Sequence, residues 1–139
     1  MKNLDLSRSK YARQKILGFA KDKNEESQRK FRSYIRNTPA NILAVGLINT
    51  MVFMKSKSSE NPNYEEILKI FNEWIGHKNR NLIGDASDII EYGLNNSDNF
   101  IDVLYITDEV MALCGWLKRF SEIHLANKRQ EVQSDEHTG

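Results

Sequence analysis

Residues 38–57 read TPANILAVGLINTMVFMKSK, and this stretch decides the fold class. Thr38 suits an N-cap, Pro39 suits the first turn of a helix, and the residues that follow leave almost no polar face until Lys55. Ile42, Val45, Gly46, Asn49 and Phe53 run down one side, while Leu43, Leu47, Met51 and Met54 run down another. A helix apolar on both sides must be covered on both, so the stretch predicts the buried central helix of a bundle. Gly46 costs about 1 kcal/mol against Ala inside a helix, which marks a point where a neighbouring helix or a ligand approaches the backbone. The apolar run 42–54 is 13 residues long and contains Asn49 and Thr50; a membrane span needs about 20 apolar residues.

Downstream, SKSSENPN at 56–63 is a linker, and Pro62 can open a helix. Tyr64, Ile67, Leu68, Phe71, Trp74 and Ile75 are helically spaced behind it. Residues 76–84 read as a loop. A short helix over 85–94 turns Ala86, Ile89, Ile90 and Leu94 inward, and 95–99 closes it with turn-forming residues. The last element covers 100–127, with Val103, Thr107, Val110, Cys114, Leu117, Ser121 and His124 in one row and Leu104, Met111, Trp116, Phe120 and Ile123 beside it. Its apolar start, IDVLYI, is also strand-like in composition, but no second strand exists for it to pair with, so helix is preferred.

Upstream, a helix runs from about residues 4–7 to 21, burying Ala12, Ile16, Phe19 and Ala20 and turning Arg8, Lys10, Arg13, Lys15 and Lys21 outward. After a polar break at 22–24, Glu25 and Glu26 fit the acidic first turn of a second helix. Phe31, Tyr34 and Ile35 form its buried stripe. Arg29, Arg32 and Arg36 place three guanidinium groups on one face, as a solvated stripe or as phosphate ligands. The whole reads as an all-α, compact bundle of five to six helices: one helical domain over 1–127, then a polar tail, KRQEVQSDEHTG, over 128–139.

At 40% hydrophobic and 28% charged residues the composition is that of an ordinary globular domain. The N-terminus has no apolar signal core, so the expected location is the cytoplasm. One cysteine, Cys114, excludes an intramolecular disulfide, and its apolar surroundings predict a buried, inert thiol. The net charge of +1 conceals an asymmetry: residues 1–57 hold 13 Lys and Arg against 4 Asp and Glu, whereas 58–139 hold 7 against 15. A basic half of +9 suits a polyanion, and an acidic half of −8 would repel one. Equally, the halves can neutralise each other within the bundle or between copies.

Catalytic chemistry finds little support. His77, His124 and His137 have no partners at metal-ligand spacing, and Asp85, Asp88 and Glu91 read as a solvated acidic face without an accompanying His or Lys. The seven glycines are scattered, and no phosphate loop or nucleophile elbow is present. The expectation is no catalytic residue, no metal and no cofactor.

Two stretches, GLINTMVFMKSK at 46–57 and TDEVMALCGWLKRFSEIHLA at 107–126, resemble the signature helices of the small α-helical subunit of the type III-B CRISPR effector, the Cmr complex. The order of Tyr34, Pro39, Tyr64 with Glu65, Trp74 and the WLKRF run at 116–120 agrees, so the similarity covers roughly residues 8–126. Thr38, Gly115 and Ser121 depart from the usual pattern and concern packing. The resemblance implies a non-catalytic subunit of an antiviral ribonucleoprotein. Several copies would stack beside guide-carrying backbone subunits, with those subunits, guide RNA, target RNA and copies of itself as partners and no membrane. Lys55, Lys57, Lys118 and Arg119 are the basic residues within the matching stretches; Arg13, Arg29, Arg32 and Arg36 are added from helix geometry as candidate RNA contacts. Trp74, Trp116 and Phe120 are assigned to the core, which leaves little aromatic surface for base stacking. The opposite charges of the two halves would suit head-to-tail contacts between copies, with the acidic side at 60–91. A free-standing helical DNA-binding regulator is the alternative, but the tight turn between a first and a recognition helix is missing.

Overall fold

The computed structural model describes residues 3–78 and 81–127, so the expected tail at 128–139, with His137, lies outside the described residues. Six α-helices follow one another: α1 (Leu4–Asp22), α2 (Glu25–Val45), α3 (Leu47–Lys57), α4 (Pro62–Glu73), α5 (Ile89–Asn95) and α6 (Phe100–His124). There is no strand among the described residues. The IDVLYI run is helical, as the absence of a pairing partner predicts. Short polar side chains open four of the helices: Asn3, Asn24, Asp88 and Asn99 each accept a backbone N–H from the first turn.

The expected start at Thr38 and Pro39 is overturned. α2 passes straight through Pro39, and Thr38 is fully buried with its hydroxyl donating to the Tyr34 carbonyl at 2.7 Å. A proline inside a helix costs about 3 kcal/mol. The stripe Phe31, Ile35, Thr38, Ile42 is buried on both sides of it, and that continuous packing outweighs the local cost. The break falls instead at Gly46, whose φ of 90° and ψ of 160° lie in a region that essentially only glycine occupies. Nothing lies within 4 Å of a Cβ placed there, so Gly46 is an elbow between α2 and α3 and no neighbour approaches its backbone.

The expectation of a central helix covered all round fails with it. Leu47, Thr50, Met51 and Met54 are buried, but Leu43, Val45, Val52 and Phe53 are exposed, Leu43 by 79%. One cluster contains the apolar interior, built on Ile16, Phe31, Ile35, Met51, Ile67, Phe71, Val110, Leu113 and Leu117. Around it α6 packs along α1 and α2, α4 lies against α2 and α3, and α5 rests on α3. Gly93 permits that last contact, because any Cβ there would run into the Ile48 side chain.

Smaller differences follow from local chemistry. The first three residues of the expected loop at 76–84 are taken by a π turn, Trp74–Lys78, that continues α4. The short helix begins at Ile89, later than residue 85. Asp88 caps it by accepting the Glu91 N–H at 2.8 Å, and Glu91 accepts in return from the Ser87 backbone and hydroxyl. The carboxylates at 88 and 91 are therefore a helix cap. Leu94 faces outward at 64% exposure, as do Leu104 and Ile123. α6 stops at His124 because Leu125 is already extended.

Candidate nucleic-acid interface

Long side chains on α1 divide into two groups that periodicity does not separate. Arg8, expected outside, points inward: its Nε and Nη2 donate to Oε1 and Oε2 of Glu109 at 2.6 and 2.8 Å. Glu109 is 5% exposed and also accepts the Trp74 indole N–H at 2.9 Å. Tyr11 stacks on Trp74 with centroids 5.0 Å apart and donates its hydroxyl to the Ile70 carbonyl, so α1, α4 and α6 meet at one polar knot. Lys15 pairs with Glu73 at 2.7 Å. Burial, with Glu73 beside it, pushes the Tyr11 phenol well above its ordinary range.

Of the eight candidate RNA-binding cations, four are committed within the molecule. Arg29 pairs with Glu25 at 3.5 Å, Arg32 donates to the Leu125 carbonyl at 3.3 Å, and Lys55 pairs with Glu65 at 3.2 Å. Arg119 lies over the Trp116 ring at 5.1 Å. The remaining four, Arg13, Arg36, Lys57 and Lys118, are exposed and make no ion pair or hydrogen bond among the described residues. They sit on four different helices, so α2 presents Arg36 alone where the sequence suggests a stripe of three. Lys10, Lys21 and Lys23 are equally exposed and unpaired, and are basic positions the eight candidates leave out.

The charge asymmetry is partly neutralised inside the fold. Arg8 with Glu109, Lys15 with Glu73, and Lys55 with Glu65 each join the basic half to the acidic half. Trp116 and Phe120 are half-buried against the core, whereas Trp74 is in it. The Trp116 indole donates to Asp5 at 3.0 Å, and this bond, then Arg8, holds the Asp5 carboxyl below its usual range.

Both ends of α6 are unusual. At its start, an open apolar groove of about 490 Å³ runs between α6 and the elbow, walled by Leu43, Val45, Phe100 and Leu104, with Asp108 as its one charged wall residue. Phe100 and Ile101 are more than 70% exposed, and Asp98 and Asp102 stand beside them in sequence. Patches of this kind mark association surfaces. Toward the other end Ile123 is 67% exposed, one turn beyond Arg119. At 1.5 Å per residue the two ends are about 34 Å apart.

Among the described residues no three of His, Cys, Asp and Glu are placed to hold a metal ion. Cys114 is fully buried, and burial pushes its thiol up to about 12. No described helix is long and apolar enough to cross a membrane.

These features define a small all-helical protein that offers cations and apolar ends. Residues 4–124 match the family described as CRISPR-associated protein (Cas_Cmr5), and the chain belongs to that family, the small helical subunits of the type III-B Cmr complex. Membership makes it a type III-B CRISPR effector subunit that associates with other Cmr subunits and CRISPR RNA.

Proposed function

We propose that this chain is a non-catalytic subunit whose copies stack head to tail and whose unpaired cations contact the phosphate backbone of guide and target RNA. The observation that carries the reading is the pair of unlike ends on α6. One end is an apolar groove beside Asp98, Asp102 and Asp108; the other is an exposed Ile123 one turn beyond Arg119, with Lys118 and Glu122 also in the last two turns. Two grooves meeting face to face would oppose like charges, whereas a groove against the next copy's basic end pairs unlike ones. Such a heterologous contact repeats and so builds a filament. Glu65, Glu73 and Glu91 have partners within the chain, which favours the ends of α6 over residues 60–91 as the seam.

Backbone contact by Arg13, Arg36, Lys57 and Lys118 is independent of sequence, as suits a subunit beside RNA that guide pairing selects. Cytoplasmic action belongs to the same reading, as does a single helical domain over 1–127. The DNA-binding regulator is the weaker reading: Arg29 and Arg32 on α2 have partners within the chain.

A mixing experiment tests the seam. Leu43→Asp with Leu104→Asp disables the groove, and Ile123→Asp disables the opposite end. Each variant alone should sediment as a monomer, and the two mixed should form a heterodimer that grows no further. Wild-type-like assembly by both variants overturns the head-to-tail seam. For RNA, assembled complexes carrying Arg36→Ala and Lys57→Ala should show a shallower dependence of target affinity on salt, by about 0.7 per lost phosphate contact in the log–log slope. An unchanged slope overturns the backbone contact.

A further inference from the structure

Tyr34 on α2 and Tyr64 on α4 stack with centroids 4.3 Å apart and planes 15° from parallel. Phe53 on α3 stands across Tyr64 at 74° and is 51% exposed, unlike the core aromatics. Together they close three sides of a pocket of about 170 Å³, a size that admits one planar base. Its fourth side is a line of polar side chains on α2, Ser33, Asn37 and Asn41, spaced by four residues and therefore on one face.

The polar groups around this pocket are of two kinds. Those of the interior are spent: the hydroxyls of Thr38 and Thr50 donate to the carbonyls of Tyr34 and Gly46, and the Tyr34 hydroxyl donates to Asn61. Ser33, Asn37 and Asn41 are exposed and make no hydrogen bond among the described residues. Each free amide offers a donor and an acceptor, the pattern carried by the edge of a nucleobase. No charged residue lines the pocket. Unpaired cations flank it: Arg36 adjoins Asn37, and Lys57 lies one turn beyond Phe53 on the same side of α3.

We propose that this pocket is a subsite for one unstacked RNA base, held against Phe53 and hydrogen-bonded by Asn37 and Asn41, with Arg36 and Lys57 taking the adjoining phosphates. An apolar side chain from a protein partner would fit the ring but leave both amides unsatisfied. A duplex phosphate would satisfy the cations but leave the ring bare. A splayed nucleotide satisfies all three groups. The inference rests on the RNA contact proposed above and adds to it a base contact, which the core assignment of the aromatics in the sequence does not foresee.

The test uses the reconstituted effector complex and target RNAs carrying a single abasic site walked along the strand. Phe53→Ala should weaken binding about tenfold. One abasic position should cost the same factor, and variant and abasic site together should cost no more than either alone. Asn37→Ala with Asn41→Ala should give a smaller loss, and Phe53→Tyr should retain binding; the asparagines are exposed, so folding is spared. The salt slope should not move in Phe53→Ala. If Phe53→Ala and the asparagine variants bind like wild type, or lose affinity additively with every abasic site, the base subsite is wrong. Loss of a protein subunit from the complex at unchanged RNA affinity would likewise overturn it in favour of a protein contact. If Arg36→Ala and Lys57→Ala leave the salt slope unchanged as well, the underlying RNA contact falls; a slope that drops while Phe53→Ala is silent removes the base subsite alone.

Discussion

Removing the carboxylate of Glu109 should cost this fold more than any surface change. Glu109 is 5% exposed, receives two N–H groups of Arg8 in a bidentate fork and one from Trp74, and the Arg8 side chain is itself only 14% exposed. Glu109→Ala leaves two N–H groups of Arg8 and the Trp74 indole N–H without their acceptor, Arg8 keeping only the exposed Asp5, a loss of about 3–5 kcal/mol. Total stability of a domain this size is about 5–15 kcal/mol, so the variant should be only marginally folded. With a urea m-value of about 2 kcal/mol/M, the midpoint falls by about 2 M. The reciprocal variant, Arg8→Ala, removes the charged partner of a buried carboxylate and should also destabilise the fold. Arg8→Met with Glu109→Leu removes both charges together and should recover most of the loss. Urea titrations followed by tryptophan fluorescence read all three. A loss under about 1 kcal/mol in both single variants would refute the view that this knot locks α1 to α4 and α6.

Gly46→Ala should cost about 1–3 kcal/mol from backbone strain alone; because no atom lies near its Cβ, trimming neighbours should not rescue it, as thermal unfolding will show. Gly93→Ala should cost about 1–3 kcal/mol through overlap with Ile48, and Ile48→Ala in the same chain should relieve it. Cys114, with its thiol pushed up to about 12, should not react with thiol reagents at pH 8 until the protein is denatured, when one equivalent should react. Asp5 has a lowered folded pKa, so its contribution is complete above the unfolded value near 3.9 and is lost as pH falls through the folded one. The stability gap between wild type and Asp5→Asn should therefore be constant above pH 5 and close below about pH 4.

The sequence by itself determined the helical class, a bundle of five to six helices and most of the buried stripes, because period-3.6 patterning is a local property and each stripe lies within one helix. The linker at 56–63, the Pro62 start and the inert Cys114 were legible for the same reason, and the paired signature stretches sufficed to reach the family. Tertiary structure alone decided the rest. Pro39 signals a helix start locally, yet it is carried through because packing on both sides outweighs about 3 kcal/mol. Arg8 and Arg13 look alike by type and spacing, but only Arg8 meets a buried carboxylate, and that carboxylate lies 101 residues away in the chain. Whether a cation is free, or an apolar residue such as Leu43 or Phe53 is covered, depends on which distant helix arrives beside it, and no local pattern encodes that arrival.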